Sequence, residues 1–415
     1  MLPFTGKFWG SLTILAIAAW QSAAAVGARR REMEVASESA PLRVLFLHRD
    51  LTSHGGVPRC LLYLARAMDS GRVEFNVASF DEPSEFMCKA FGELEIEPRC
   101  IGDGGYFSPA RRLRNILDGQ NIDVIVATTF KAYLCAKIAA RGRNVKVVFW
   151  LHAIRGVMNG AVRKKLFSRL SKNDPLLFIS RAVREAHLPK NHCGPERVIY
   201  NGVEEGPQTP YGREMRQVLS LPDDAIMLAY VAEFVECKDH PTAIAAMEAL
   251  ARREINAHLL LIGVGEEMDR IREIATASEA AGRIHFLKMR PDVRQLLGIV
   301  DLYIHPGRDE GFGLAIIEAM LAGRAVIAAN SGGVREIIES GKTGVLFEPG
   351  DAADLTRQII SLIQDQPRAR EIGIAARQMC IERFAPERFA GEIAHFLEEI
   401  AEIKKRGIRT PELIS

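Results

Sequence analysis

The densest group of residues that could do chemistry follows a predicted strand that ends at His305. A turn rich in glycine comes next, and an apolar helix is predicted to begin near Phe312. The backbone N–H groups of Phe312, Gly313 and Leu314 would lack partners within that helix, and such free donors bind phosphate and other anions. Glu310 stands in the turn, where its carboxylate could accept hydrogen bonds from sugar hydroxyls. Its alternative is a helix-start residue favoured only by the helix dipole.

Glu318 is a second carboxylate of interest, because it is the only charged residue between Leu314 and Gly323. Burying an unpaired carboxylate is costly. We therefore expect Glu318 to face a cavity that holds hydrogen-bond donors such as ribose hydroxyls. The alternative is an ordinary exposed glutamate on the helix surface.

Two features of the first half also follow predicted strands. Gly55 and Gly56 come after the first strand and open a helix, with Pro58 near its first position, where a missing N–H is harmless. Glycine lets an anion approach the backbone, although the pair could equally form an ordinary tight turn. His152 ends the strand 145–152. A lone histidine is more often structural, but at the carboxyl end of a parallel strand it would face a ligand.

The elements that must position these residues alternate between short apolar strands and helices. In the first half the predicted strands are 42–48, 73–80, 122–128, 145–152, 176–180 and 198–200. In the second half they are 227–231, 258–262, 284–287, 302–305, 325–328 and 345–347. Continuous apolar strands separated by helices are typical of a parallel sheet covered on both faces. The predicted fold class is therefore α/β, with two doubly wound domains in tandem.

Composition marks the domain boundaries. Residues 1–40 are predicted to be an apolar and basic extension with a linker, and residues 41–203 the N-terminal domain. The Pro- and Gly-rich stretch 204–212 is predicted to be the interdomain linker. A second domain covers 213–384, and the tail 385–415 is predicted to be a helix that packs back toward the N-terminal domain. Ligands of such folds bind at the carboxyl ends of the strands, here in a cleft between the domains.

Three motifs occur together in the second half. They are Glu310-x7-Glu318 around the run 311–314 (GFGL), the run 332–338 (GGVREII) and the run 341–346 (GKTGVL). Together they resemble the donor-binding region of family 4 retaining glycosyltransferases of GT-B fold, and the similarity runs from about residue 42 to about residue 399. The resemblance implies two Rossmann-like domains that face each other across a cleft.

The resemblance also implies a function. A hexosyl group would pass from a nucleotide-diphosphate sugar to a glycan or lipid-linked acceptor, in the synthesis of cell-surface polysaccharide or glycoconjugate. Glu310, Lys238 and His152 would be the catalytic residues: Glu310 and His152 at the donor sugar, and Lys238 at the diphosphate. A fixed cation there would stabilise the charge that the departing diphosphate gathers. No cofactor is implied.

The implied donor-binding residues lie on both sides of the cleft. The amides of 312–314 would hold the diphosphate and sugar, and Glu318 the ribose. The set is Gly55, Gly56, Arg308, Phe312, Gly313, Leu314 and Glu318. Ser180 and Asn201-Gly202 also match the family pattern.

The sequence departs from that pattern at Ala232 and Glu233, where the family usually has Gly-Arg. A glutamate that faced diphosphate would repel it. Either Glu233 turns away and another cation such as Arg308 substitutes, or the activity is altered or weak. A nucleotide-sugar 2-epimerase of similar fold and a catalytically weakened nucleotide-sugar-binding protein are therefore the alternatives. A dehydrogenase is disfavoured, since Met268 stands where the third glycine of a dinucleotide fingerprint would be.

Charge excludes one class of partner and suggests another. The chain carries 54 Lys+Arg and 52 Asp+Glu, which gives no reason to expect nucleic-acid binding. The balance is uneven, however, with 25 basic and 17 acidic residues in 41–205 but 25 and 32 in 206–415. Five cations accompany an apolar stripe in 161–172, which predicts either a basic amphipathic helix on an anionic membrane or an ordinary surface helix.

The N-terminal segment 8–28 has no charged residue and is followed by Arg29, Arg30 and Arg31. It could be a membrane anchor or interfacial segment, a signal peptide, or a poorly ordered extension. As an anchor, its downstream arginines would hold the protein in the cytoplasm.

The seven cysteines are scattered singly, with no C-x-x-C pair, which is typical of a reducing compartment. The predicted location is therefore cytoplasmic, with attachment to the inner face of the membrane as an option. The histidines offer no metal-ligand spacing and the chain has no Asp-x-Asp, so no metal is predicted.

Overall fold

The structure, a computed structural model, describes residues 40–51, 55–157, 160–206, 211–212, 214–290 and 292–405. The candidate anchor 8–28 and His54 lie outside these ranges. Within them, no helix combines the length and the apolar character that crossing a membrane requires.

The N-terminal half contains a seven-stranded parallel sheet in the order β3-β2-β1-β4-β5-β6-β7. Its strands are β1 (Leu42–His48), β2 (Val73–Ser79), β3 (Arg99–Cys100), β4 (Val124–Ala127), β5 (Lys146–Leu151), β6 (Leu176–Phe178) and β7 (Glu196–Val198). The helices that connect them are α1 (Gly56–Ala67), α2 (Glu85–Gly92), α3 (Phe107–Gln120), α4 (Phe130–Ala140), α5 (Ala161–Leu170) and α6 (Arg181–His187). Side-chain hydroxyls cap several of these helices, as when Ser180 accepts a hydrogen bond from the Val183 N–H.

The C-terminal half contains a six-stranded parallel sheet in the order β10-β9-β8-β11-β12-β13. Its strands are β8 (Ile226–Val231), β9 (Ala257–Ile262), β10 (Ile284–Leu287), β11 (Leu302–His305), β12 (Ala325–Ala329) and β13 (Val345–Phe347). Its helices are α7 (Glu214–Val218), α8 (His240–Ala251), α9 (Met268–Ala277), α10 (Val293–Leu296), α11 (Leu314–Leu321), α12 (Val334–Ile337), α13 (Ala352–Gln364), α14 (Gln366–Arg383) and α15 (Pro386–Lys405). Both strand orders are those of doubly wound nucleotide-binding sheets, as the fold class predicted.

Two predicted boundaries differ from the structure, and three short elements were not predicted. The strand predicted at 198–200 lies at Glu196–Val198, where it pairs in parallel with Leu176–Phe178 of β6. The helix predicted to begin near Phe312 begins at Leu314, since Gly313 adopts a left-handed φ of 103°. Strand β3 and helices α2 and α7 were not predicted; β3 is two residues long and only half-buried, and α7 is five residues long.

The last helix, α15, packs on the N-terminal half of the chain. Phe389 lies 6.0 Å from Trp150 of β5 between ring centroids, and both side chains are buried. Arg72 donates two hydrogen bonds to Glu398, at 2.9 and 2.7 Å. The chain therefore crosses between its halves twice, once after β7 and again before α15.

Glu336 of α12 forms a polar link between the halves near these crossings. Its carboxylate accepts hydrogen bonds from the Arg181 and Ala182 N–H groups at 2.9 and 2.8 Å, and from the Tyr200 hydroxyl at 2.8 Å. A residue of the C-terminal half thus caps the N-terminus of α6, whose free N–H groups and dipole favour an anion.

We expect Glu336→Ala to lower the free energy of unfolding by about 2 to 3 kcal/mol, because it leaves helix N–H groups without their charged acceptor. Urea denaturation followed by tryptophan fluorescence measures the change. Glu339→Ala is the matched control: its exposed carboxylate pairs with the exposed Lys342, so its effect should stay within about 0.5 kcal/mol. Equal effects of the two substitutions would contradict the capping role.

Candidate functional site

A cavity of about 520 Å³ lies between the carboxyl ends of the two sheets. Its lining includes residues that follow β1, β5, β8 and β11, so several strands of both halves contribute to it. Two other cavities of about 480 Å³ each lie instead at the amino ends of the strands, one in each sheet. Since ligands of doubly wound sheets bind at the carboxyl ends, the central cavity is the candidate site.

Two helix N-termini meet in this cavity. Gly55 precedes α1 and Gly313 precedes α11, and both line the cavity with Gly56 and Leu314. A Cβ added at Gly56 would lie 3.7 Å from Leu314 Cδ1, so the two helix starts are close neighbours. The positive ends of two helix dipoles therefore converge on one space, which is an arrangement that favours an anion.

The turn that carries Glu310 is held by close backbone contacts. The Gly333 N–H donates to the Glu310 carbonyl at 2.8 Å, and the Ser180 hydroxyl donates to the Gly311 carbonyl at 2.6 Å. A Cβ on Gly332, which has a φ of +52°, would lie 2.2 Å from the Glu310 carbonyl oxygen. The glycine pair at 332–333 therefore lets the next loop pack against this turn, a role that sequence reasoning missed.

Glu310, Lys238 and His305 form one buried charge cluster. Lys238 Nζ lies 2.5 Å and His305 Nε2 lies 3.1 Å from Glu310 Oε2. Burial alone would raise the pKa of the Glu310 carboxyl, but Lys238 and the hydrogen bond from His305 outweigh it and hold that pKa well below its usual range. Burial opposes the charge on Lys238 as well, yet Glu310 raises the lysine pKa above its usual value. Both groups are therefore charged at neutral pH.

The histidines around the cavity are neutral. Burial lowers the pKa of His305, so its Nε2–H donates to Glu310 as an uncharged imidazole. Burial, followed by the nearby His48, also lowers the pKa of His152 well below its usual value. His152 lines the cavity, and its Nε2 meets no hydrogen-bond partner among the described residues. It can therefore donate to or accept from a ligand hydroxyl without carrying charge.

Glu318 lies beneath the cavity wall and is only 3% exposed. The Tyr63 hydroxyl donates to its Oε1 at 2.9 Å, and the Arg59 guanidinium forms an ion pair with the same oxygen. Its Oε2 meets no hydrogen-bond donor among the described residues. Glu318 is thus buried, but it is not among the described residues that line the cavity, and the arginine and tyrosine that cover it come from the other half of the chain.

Glu233 and Arg308 differ in their position relative to the cavity. Glu233 is exposed, lines the cavity and acts on the charge of Lys238. Arg308 is half-exposed, pairs with Asp239 at 3.2 Å and is not among the described residues that line the cavity. Glu233 therefore stays beside the candidate anion site, and Arg308 would have to leave Asp239 to reach it.

Sequence reasoning missed several cavity cations, of which Arg59 is the most telling. It stands in the first turn of α1, where the helix dipole disfavours a positive charge. That misplaced charge was a usable signal in the sequence. Arg155, Arg290 and Arg294 also line the cavity.

Two family models match the chain. The model described as Glycosyltransferase Family 4 matches residues 54–206, and the model described as Glycosyl transferases group 1 matches residues 212–379. Together they cover well over half of the chain.

Relatives and solved structures agree with these models. The chain is 25% identical over 308 residues to N-acetyl-alpha-D-glucosaminyl L-malate synthase of Bacillus anthracis, covering 72% of this chain and 80% of that protein. It is 41% identical over 351 residues to a sulfoquinovosyl transferase of Arabidopsis thaliana, covering 79% and 62%.

Among solved structures, Anabaena HepE in complex with UDP-glucose has a TM-score of 0.76 at 23% identity, covering 86% of this chain and all of that one. Sucrose-phosphate synthase from Thermosynechococcus elongatus has a TM-score of 0.74 at 18% identity, covering 87% and 99%. The family and fold predicted from the motifs are confirmed: the chain belongs to glycosyltransferase family 4, and its two facing sheets have the GT-B fold.

Proposed function

We propose that this glycosyltransferase moves a hexosyl group from a nucleotide-diphosphate sugar to a glycan or lipid-linked acceptor, with retention of configuration at the transferred carbon. The observation that carries the proposal is the buried Lys238–Glu310 pair beside the two converging helix N-termini. A diphosphate in this space would meet backbone N–H groups and a fixed lysine charge. Such preorganised donors stabilise the negative charge that grows on a leaving diphosphate.

The donor sugar would lie between Glu310 and His152. Glu310 can accept hydrogen bonds from sugar hydroxyls, and the free Nε2 of His152 can hydrogen-bond a hydroxyl from the opposite half. Glu310 is a poor nucleophile, because its Oε2 already binds Lys238 and His305. These features support attack by the acceptor on the face that the diphosphate leaves.

The bonds balance in a single exchange. The bond between the sugar C1 and the phosphate oxygen breaks, and its electron pair stays on the diphosphate. The acceptor oxygen forms the new bond to C1 on the same face, and its proton passes to the departing phosphate oxygen. No carboxylate of the chain has to take up that proton. Lys238 and the helix amides supply positive charge from the chain itself, which supports a reaction without a cofactor.

UDP is the nucleotide we propose first, because HepE, which shares the fold, was solved with UDP-glucose. The loop at Lys288–Arg290 would approach the base. A thermal-shift screen with UDP-, GDP- and ADP-sugars tests this choice, since only a ligand that binds the folded protein raises its melting temperature. No shift with any nucleotide sugar would contradict the proposed donor class.

We expect Lys238→Ala or Glu318→Gln to reduce kcat/KM for transfer about 10²- to 10³-fold, because each removes a contact to the bound donor. Radiolabelled product formation measures the rate. The exposed pair Lys342 and Glu339 provides matched controls, Lys342→Ala and Glu339→Gln, which should transfer at the wild-type rate. Near-normal transfer by Lys238→Ala would contradict the site assignment. Turnover of the donor in the absence of an acceptor would indicate an epimerase instead.

A weakened nucleotide-sugar-binding protein is the second candidate, favoured by the exposed Glu233 in the cavity lining. A carboxylate beside the diphosphate repels it and offsets part of the lysine charge. If activity has been weakened in this way, Glu233→Arg should raise the transfer rate. Calorimetry should then show that the wild-type protein binds the donor without measurable turnover. Glu236→Arg, an exposed position in the adjacent turn, is the matched control.

We also propose that α5 binds an anionic membrane from the cytoplasmic side. Its first six residues are all exposed, with Val162 82% and Leu166 40% exposed beside Arg163, Lys164 and Lys165. Phe167 anchors the helix in an aromatic cluster with Phe149, at 5.6 Å between centroids. All seven cysteines are free thiols, which supports a reducing compartment. A helix of this kind would hold the protein at the surface that carries a lipid-linked acceptor.

The membrane proposal predicts binding to vesicles of phosphatidylcholine with phosphatidylglycerol, weakened by salt, and none to phosphatidylcholine alone. The double change Lys164→Gln and Lys165→Gln should weaken binding about 10- to 30-fold, since each cation near such a surface contributes about 1 kcal/mol. Val162→Ser should also weaken it. Ile374→Ser alters a similarly exposed residue of α14 and should have no effect. Equal binding by all variants in a flotation assay would contradict the assignment.

A further inference from the structure

One arginine of the cavity is bound to a group that the donor itself would need. Arg59 belongs to α1 in the N-terminal half, and its guanidinium pairs with Glu318 of α11 in the C-terminal half. Arg59 Nη2 also donates to the Tyr63 hydroxyl at 3.2 Å, which in turn donates to Glu318 Oε1. These contacts join the halves through one carboxylate oxygen.

Among the described residues, donors reach only one of the two carboxylate oxygens of Glu318. Both contacts reach Oε1, while Oε2 is buried without a donor among the described residues. A buried acceptor without a partner is costly, so the pocket around Glu318 is incomplete as it stands. A pair of neighbouring hydroxyls, such as those of a ribose, could donate to both oxygens and satisfy the carboxylate.

Arg59 stands beside the candidate diphosphate site. It lies in the first turn of α1, which begins next to the start of α11, and its side chain is 24% exposed and lines the cavity. The Arg59 charge also acts on Tyr303, whose pKa burial raises and whose hydroxyl donates to the Val231 carbonyl at 3.3 Å. A short rearrangement of the side chain would therefore bring the guanidinium to an anion held by the two helix starts.

The other cations that line the cavity pair with acids other than Glu318. Lys238 pairs with Glu310, Arg155 with Asp309, Arg290 with Asp292, and both Arg66 and Arg294 with Glu204. A ribose on Glu318 would displace none of these partners. Among the six cations that line the described part of the cavity, Arg59 is the one that such a ligand would set free.

We propose that Arg59 exchanges partners when the donor binds, leaving Glu318 to the ribose and pairing with the diphosphate. A guanidinium suits the second role, because its planar donors match phosphate oxygens two at a time. The exchange draws the N-terminal half onto a diphosphate held by the C-terminal half. This inference rests on the proposed nucleotide-sugar donor.

Two ligands separate the roles of Arg59. Uridine carries the ribose without phosphate, so it only competes with Arg59 for Glu318, whereas UDP also offers the new partner. In Arg59→Met, uridine should bind at least as tightly as to the wild-type protein, while UDP should bind about 10- to 100-fold more weakly. Calorimetry measures both affinities, and the opposite directions of the two changes are the signature of the exchange.

Arg43→Met is the matched control, because Arg43 lies on β1 of the same half, pairs with Glu74 and is not among the described residues that line the cavity. Its affinities for uridine and UDP should equal those of the wild-type protein. Arg59→Lys, which retains a charge but not the two-point geometry, should lose less UDP affinity than Arg59→Met and provides a second variant if the latter does not fold.

Equal weakening of uridine and UDP binding by Arg59→Met would overturn the inference, because Arg59 would then only hold Glu318 in place. Unchanged UDP affinity would overturn it as well. Failure of the wild-type protein to bind any nucleotide would instead overturn the proposed function, so the wild-type measurement distinguishes the two failures.

Discussion

The candidate site depends on charge that is kept out of water. Glu310 and Lys238 lie together in the cleft with side chains only 14% and 21% exposed. Each would resist ionisation if it were buried alone, and each stays charged because the other is there. The pairing also restrains the turn after β11 and the turn after β8, which are far apart in the sequence. Without this ion pair, the positions of the Lys238 and Glu310 side chains relative to each other would not be fixed.

The uneven charge of the sequence has a structural counterpart. Several ion pairs join an arginine of the basic N-terminal half to an acid of the acidic C-terminal half; they are Arg59–Glu318, Arg72–Glu398, Arg155–Asp309 and Arg197–Glu399. Exposed pairs such as Arg155–Asp309 contribute little stability individually. Arg294–Glu204 and Arg377–Glu205 have the opposite direction, so the ion pairs join the halves without a single polarity.

Much of the fold could be predicted from the sequence, since buried parallel strands are continuous apolar runs. β9 shows this well, with all six residues buried. The strand β3 could not be predicted, because two half-buried residues carry no periodicity. The boundary at Gly313 depended on a backbone angle that the residue type permits but does not require.

The residues of the site could be predicted from the sequence, but the contacts between them could not. Glu310, Lys238 and Glu318 could be singled out by type and spacing, but no local pattern pairs residues 72 positions apart, as Lys238 and Glu310 are. The covering of Glu318 by Tyr63 spans 255 positions. Such contacts arise only when the two sheets face each other, so the sequence alone left Glu318 without its partners.

The packing of α15 on the N-terminal half has a consequence for synthesis on the ribosome. Trp150 is made early, yet its neighbour Phe389 emerges only after the whole second sheet has been translated. The half that is made first thus leaves part of its own core uncovered until nearly the end of translation. Its final consolidation is a late event that waits for the second half, and a nascent chain stalled before α15 would expose apolar surface to chaperones and proteases.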